Sequence, residues 1–167
     1  MSDVECKLVK AEDYLAIKEI WEDFNKSPYA RFDRPHSTDE EIVKAMIAKW
    51  AEKQSKGGFS FAVWTEGKMI GFINFVYRGV FWETSYCFHS AYQGQGLAKK
   101  AMEKLKGFIL LYNKKVIART AVDNLPSVAF LSAVGFEKIG EEKVSFYNDE
   151  SGAPIYFIGG IYELKER

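Results

Sequence analysis

The sequence predicts a mixed α/β (α+β) fold, with a mostly antiparallel central sheet of about six to seven strands and helices on both faces. Three observations carry this reading. Short aromatic and β-branched runs bounded by glycine recur through the chain, as half-buried strands do. Several longer segments switch to helical spacing. One strand, helix, strand unit sits inside an otherwise hairpin-connected order, which calls for one parallel pair. A chain of 167 residues without repeat, low-complexity segment or linker fits a single domain, 1–167, large enough to bury a substantial core.

The elements follow in order. Glu5 to Val9 is a short first strand, and Ala11 to Phe24 an amphipathic helix with Tyr14, Ile17, Ile20, Trp21 and Phe24 on one face. The loop Asn25 to Arg31 leads towards a second helix, Thr38 to Gln54. Ser37 or Thr38 is its expected cap, Glu40 and Glu41 lie in its first turn, and Gly57-Gly58 stops it. Phe59 to Thr65 and Met69 to Tyr77 form a hairpin about Glu66-Gly67-Lys68, and Phe81 to His89 adds the next strand. Helix Gly96 to Tyr112 leads to strand Val116 to Val122 and helix Ser127 to Val134, with Gly135 at the position that ends a helix. Strands Glu137 to Tyr147 and Pro154 to Leu164 close the chain around a turn at 148–152.

Composition narrows the function classes. Formal net charge is zero, with no basic or acidic block, which speaks against a broad nucleic-acid face. No apolar run approaches membrane-spanning length and no signal peptide precedes Asp3, so the expectation is a cytoplasmic protein that binds neither nucleic acid nor membrane. Cys6 and Cys87 form neither a metal spacing nor a disulfide framework; no metal is expected, and Cys87 reads as a small buried hydrophobe. The aromatic share of 16% falls largely in strand-like segments and is mostly core.

The most informative segment is Gln93-Gly94-Gln95-Gly96-Leu97-Ala98, between a strand and a helix. A helix start leaves backbone N–H groups unpaired and carries partial positive charge, so strand, glycine turn and helix together make an anion site. Lys99 and Lys100 oppose the helix dipole in that first turn and make sense beside a polyanion. A dinucleotide fingerprint would need glycine at position 99, which is Lys99. A P-loop would need Gly-Lys-Ser/Thr, which Ala98-Lys99-Lys100 does not supply. Both observations argue against a nucleotide-binding oxidoreductase or a kinase.

The segment does match Gln/Arg-x-x-Gly-x-Gly/Ala, through Gln93, Gly96 and Ala98. It resembles the acetyl-coenzyme A pyrophosphate loop of the GNAT superfamily of N-acetyltransferases. Upstream, Trp82 to Tyr92 resembles the family's Glu-x-Gly-Tyr-x-φ-x-Pro-x-Tyr approach to the loop, with Ser85 for the usual Gly and Ser90-Ala91 for Pro-Glu. Downstream, Asn124, Ser127, Leu131 and Gly135-Phe136 resemble Asn-x-x-Ser-x-x-x-Leu-x-x-x-Gly-Phe. Leu131, where many relatives carry Tyr, is similar to the branch of the ribosomal-protein alanine N-acetyltransferases.

That resemblance implies direct transfer of an acetyl group from acetyl-CoA to a primary amine in a ternary complex. It implies a cofactor-binding set of Phe88, His89, Ser90, Gln93, Gly94, Gln95, Gly96, Leu97, Ala98, Lys99, Asn124, Ser127 and Phe130. Backbone N–H near Phe88 would polarise the thioester carbonyl, and the backbone of Phe88 to Ser90 would pair with the pantetheine arm. Glu83 is the expected catalytic base, with His36 and His89 as further candidates. Ser127 is expected to donate to the leaving sulfur, or else to cap the helix. Asn124 would bond the pantetheine amides. Acceptor specificity falls on Tyr29, Arg31, Phe32, Asp33 and Arg34. The acceptor is a protein N-terminal amine or a small-molecule amine such as a polyamine, amino sugar or antibiotic; a non-catalytic acyl-CoA-binding module would share every cofactor residue. The chain is a monomer or a homodimer, with the aromatic-rich terminal strands offering an edge.

Overall fold

A computed structural model describes residues 3–54 and 56–165. Its strands are β1 (Glu5–Leu8), β2 (Gly58–Thr65), β3 (Lys68–Tyr77), β4 (Phe81–Phe88), β5 (Lys115–Ala121), β6 (Phe136–Asn148) and β7 (Pro154–Leu164). They form a 7-stranded sheet in the order β1-β2-β3-β4-β5-β7-β6, and only β4 and β5 pair in parallel. The helices are α1 (Tyr14–Asn25), α2 (Glu40–Glu52), α3 (Leu97–Leu110) and α4 (Leu125–Ala133). The crossover from β4 through α3 to β5 is the unit that the sequence pattern marks out.

The sheet is buried on both sides because β2 and β3 carry apolar residues in both phases of the pleat. One phase, Phe61, Val63, Ile73 and Phe75, joins Leu97, Ala101, Met102, Leu105 and Ile109 of α3 in one core cluster. The other, Ala62, Met69 and Phe72, meets Ile17, Ile20 and Trp21 of α1 and Val43 and Ile47 of α2. Trp21 is 2% exposed, with Trp50 and Phe72 edge-on at 5.8 and 5.9 Å. Truncating such a side chain costs about 3–5 kcal/mol. α1 and α2 are thereby fixed on the face opposite α3.

Several boundaries depart from the expected ones for local reasons. Ala11–Asp13 is a separate 3-10 turn ahead of α1. The cap of α2 is Asp39, whose carboxylate accepts the Ile42 N–H at 3.1 Å. Asp39 lies three residues before that N–H, the reach an N-cap needs, whereas Ser37 and Thr38 lie too far upstream. α2 ends at Glu52, before Gly57-Gly58, and the Gln54 side chain then bridges Val9 O and Ser60 N at 2.7 and 2.9 Å. The cap of α4 is Asn124, which places Ser127 inside the first turn. Of the two terminal strands only β6 is an edge; β7 lies between β5 and β6. At their aromatic end Phe157 packs 5.4 Å from Phe32 and the Tyr147 hydroxyl donates to Ala30 O at 3.4 Å, while Tyr156 is exposed. Among the described residues no helix is long and apolar enough to cross a membrane.

Candidate functional site

β4 and β5 pair from Phe81↔Lys115 to Thr84↔Ala118, and there the pairing stops. β4 runs on to Phe88 beside β3, while β5 continues beside β7 from Ile117 to Ala121. The two strands diverge, and a cleft of about 820 Å³ opens between them.

Register decides which backbone groups face it. His89 N–H donates to Ile70 O at 2.8 Å, so odd-numbered β4 residues exchange hydrogen bonds with β3. Backbone N–H and C=O of Tyr86 and Phe88 therefore turn to the side from which β5 has departed. Gly71 lies opposite Phe88, and a Cβ there would come within 2.4 Å of the Phe88 ring and 2.6 Å of Cys87 O. Only glycine allows that approach. At the floor Thr84 is 3% exposed, and its hydroxyl has no hydrogen-bond partner among the described residues.

At the mouth, a 3-10 turn (Ser90–Tyr92) precedes Gly94 and Gly96, at φ +79° and +73°. Gly96 is the N-cap of α3; no side chain caps that end, and its first turn holds no acidic residue. A Cβ on either glycine would meet nothing within 4 Å. Here the glycines serve the left-handed turn and leave room for close approach to free N–H donors. An uncapped helix start, open space above glycine backbone, diverging edge donors and an orphaned buried hydroxyl fit a phosphate-ended, amide-bearing ligand.

Phe88, Ser90, Gln93, Gly94, Gly96, Leu97, Ala98, Lys99, Asn124, Ser127 and Phe130 line this cleft. His89 and Gln95 do not. The His89 ring accepts Ala91 N–H at 3.1 Å and lies 3.7 Å from Asp23, and Gln95 folds back to Ala91 O at 3.4 Å. The expected backbone pairing of Phe88 to Ser90 narrows too. His89 N–H is spent on β3, and Ser90 N–H and hydroxyl both donate to Asp23, at 2.8 and 2.7 Å. Asn124 accepts Ser127 N–H at 3.4 Å as cap of α4.

Glu83 is not among the residues lining the cleft. Its carboxylate accepts from Arg78 Nε at 2.9 Å and Arg119 Nη1 at 2.7 Å, and Arg119 Nε also pairs with Glu142 at 3.0 Å. Arg119 itself lines the cleft, so it is the partner of Glu83, and not Glu83, that borders the cleft. His36 stacks on Trp21 at 5.0 Å and bonds Asp33 through Nε2 at 3.1 Å. Asp33 is the member of that pair that lines the cleft, with Phe24, Tyr29 and Phe32 nearby. Arg31 and Arg34 lie outside the lining: they cover the rings of Phe32 and Phe146 at 4.6 and 5.0 Å.

Sequence reasoning missed Asp23, Thr84, Arg119 and the Tyr86 hydroxyl as cleft groups. Asp23 carried a signal, since a carboxylate in the last turn of α1 opposes the helix dipole. Burial works to raise its pKa, but the hydrogen bonds from Ser90, with His89 and Lys26 nearby, outweigh burial and leave it lowered. Tyr86 bonds Ser127 hydroxyl to hydroxyl at 2.5 Å. Burial, with smaller contributions from Asp33 and Asp23, pushes the Cys87 thiol up to about 12, which makes it a poor nucleophile at neutral pH. No cluster among the described residues has the donors to hold a metal ion.

A sequence profile of the acetyltransferase (GNAT) domain matches residues 7–137. No curated protein sequence matches the chain. Among solved structures the fold is similar to ribosomal-protein-S5-alanine acetyltransferase from Vibrio fischeri (TM-score 0.76, 21% identity, 99% of this chain and 98% of that one). It is similar to a Salmonella typhimurium acetyl transferase that modifies the N-terminal serine of ribosomal protein L7/L12 (0.82, 15%, 98% and 96%). It also resembles the microcin C7 self-immunity acetyltransferase MccE in complex with acetyl-CoA and AMP (0.78, 15%, 96% and 91%).

Proposed function

The chain belongs to the GNAT acetyltransferases, and from that premise we propose that it transfers acetyl from acetyl-CoA to a primary amine by direct attack, with a protein N-terminal amine as acceptor. The observation that carries this reading is the parting of β4 from β5 beside the uncapped start of α3. N–H groups of the α3 first turn and Lys99 hold the pyrophosphate, Gly94 and Gly96 allow it close, and Phe88 and Tyr86 offer edge hydrogen bonds to the pantetheine amides. Phe88 N–H polarises the thioester oxygen as negative charge develops there.

The acceptor enters on the side lined by Phe24, Tyr29, Phe32, Asp23 and Asp33, a wall that suits a cationic amine on an apolar body. Asp33, the cleft-lining carboxylate backed by His36, takes a proton from the ammonium and frees the nitrogen lone pair. The neutral nitrogen attacks the carbonyl carbon, the carbon–sulfur bond breaks with its electron pair leaving on sulfur, and the second amine proton passes to water. Ser127 donates to the sulfur as it becomes thiolate. Glu83 holds Arg119 in the wall and acts as a positioning residue. The raised Cys87 thiol supports attack without a covalent acyl-enzyme.

A thermal-shift comparison tests the ligand class. Saturation with acetyl-CoA at about 100 times its Kd should stabilise the fold by about 2.7 kcal/mol, and NAD and ATP should not. Equal stabilisation by all three would remove the reading.

A further inference from the structure

Leu131, on α4, is fully buried, so no hydroxyl comes from that position to face the cleft. Three tyrosines line the cleft, Tyr29, Tyr86 and Tyr92, and Tyr86 of β4 is the one bonded to Ser127. Tyr86 stands two residues beyond the last pair that β4 makes with β5, and its ring packs edge-on against Phe130 of α4 at 4.7 Å. Its hydroxyl lies 2.5 Å from Ser127 Oγ, and both residues line the cleft. We propose that Tyr86 is a positioning residue for the transfer step: its hydroxyl donates to Ser127 and so aims the single proton of Ser127 at the sulfur of coenzyme A.

Hydroxyl chemistry supplies the argument. Each hydroxyl has one proton and two lone pairs, so in a pair of hydroxyls only one donates to the other. If Ser127 donated to Tyr86, nothing would be left for the sulfur. Burial raises the Tyr86 phenol above its ordinary range, although Ser127 pulls it down, so it keeps its proton at any working pH. A phenol that keeps its proton is a lasting donor but a poor acid. Tyr86 therefore orders a hydrogen bond and does not itself protonate the thiolate; the sulfur leaves as a hydrogen-bonded thiolate and takes its proton from solvent after release. The 2.5 Å separation lies at the short end for a hydroxyl pair, where alignment is tight.

This inference rests on the reading that Ser127 meets the sulfur, and the experiment keeps the two apart. The thiolate absorbance of coenzyme A bound to the protein is followed against pH, with the desulfo-coenzyme A complex as baseline. Cys6 and Cys87 are both raised by burial. The other charged groups lining the cleft, Asp23, Lys26, Asp33, Lys99 and Arg119, are common to every variant and cancel. The parent should bind the thiolate form preferentially, raising the acidity of the bound thiol about tenfold over Ser127→Ala. Ser127→Thr, which keeps the hydroxyl, should retain the shift. Tyr86→Phe, which keeps the ring on Phe130, should lose most of it, and the double variant should titrate like Ser127→Ala alone. A Tyr86→Phe protein that titrates like the parent while Ser127→Ala has shifted overturns the role of Tyr86 and leaves Ser127 its own. A Ser127→Ala protein that titrates like the parent overturns both.

Discussion

Arg119 lies 2.7 Å from Glu83 and lines the cleft, which Glu83 does not. Glu83, outside the cleft lining, is held by two arginines, whereas Asp33, bonded to His36, lines the cleft and is within it to meet an amine. A positioned base contributes about a hundred- to ten-thousandfold in rate. Asp33→Asn should therefore lower turnover at neutral pH by about a hundredfold or more, with partial rescue as pH rises and more of the amine arrives neutral. Glu83→Gln should lower it by less than about tenfold. Initial rates of both variants across pH read the difference, and the reverse order would return the base to Glu83.

The bond between Asp23 and Ser90 joins α1 to the turn that leads into the α3 loop, and it makes part of the stability pH-dependent. The Asp23 pKa is lowered in the folded protein, so its contribution is fully present above the ordinary carboxylate range and is lost as pH falls through the folded value. Asp23→Asn should destabilise the fold by about 1–2 kcal/mol at pH 7, since hydrogen bonds to a charged acceptor are replaced by weaker ones. The gap in melting temperature between parent and variant should close as pH drops below that range. A constant gap down to strongly acid pH would contradict the assignment.

Gly71 of β3 lies directly against the ring of Phe88, a residue of the cleft wall. Gly71→Ala would drive a methyl group into the Phe88 ring and Cys87 O, and neither β3 nor β4 can retreat from a central sheet position. The expected cost is about 1–3 kcal/mol. Acetyl-CoA affinity should fall with it, because Phe88 supplies the edge donor. Chemical denaturation and calorimetry on one variant check both parts.

Much of this was legible in the sequence because period and punctuation carry it. Ile17, Ile20 and Trp21 mark the buried face of α1, and Gln93 to Ala98 mark the turn before α3. Side-chain direction at the site was not legible. Glu83 occupies the expected strand, yet Arg78 and Arg119 reach it from five and 36 residues away, and no local pattern announces such partners. The Ser127 cap reading failed because Asn124, three residues earlier, competes for the same N–H groups and has the better position. β6 is an edge strand and Tyr156 of its neighbour is exposed, but no strand pattern shows that Phe32, far away in the chain, packs on Phe157.

Gly96 carries the anion end of the account. Gly96→Val places a β-branched residue at φ +73°, at a cost of order 1–3 kcal/mol, while its side chain meets open space in the protein. The fold should survive, and acetyl-CoA affinity should fall by at least about tenfold, or 1.4 kcal/mol. Calorimetry on the folded variant checks this, and parental affinity would move the pyrophosphate away from α3.

The most direct test of the central claim is coenzyme A release from acetyl-CoA over a panel of amines, with the acylated product identified by mass. The panel pairs peptides bearing free and blocked N-termini with polyamines, amino sugars and amine antibiotics. Release should be matched by one acetyl group on a free peptide N-terminus and should vanish with its blocked counterpart. Tight acetyl-CoA binding with no acetylated product on any amine would contradict the account and leave a module that binds acyl-CoA without turning it over.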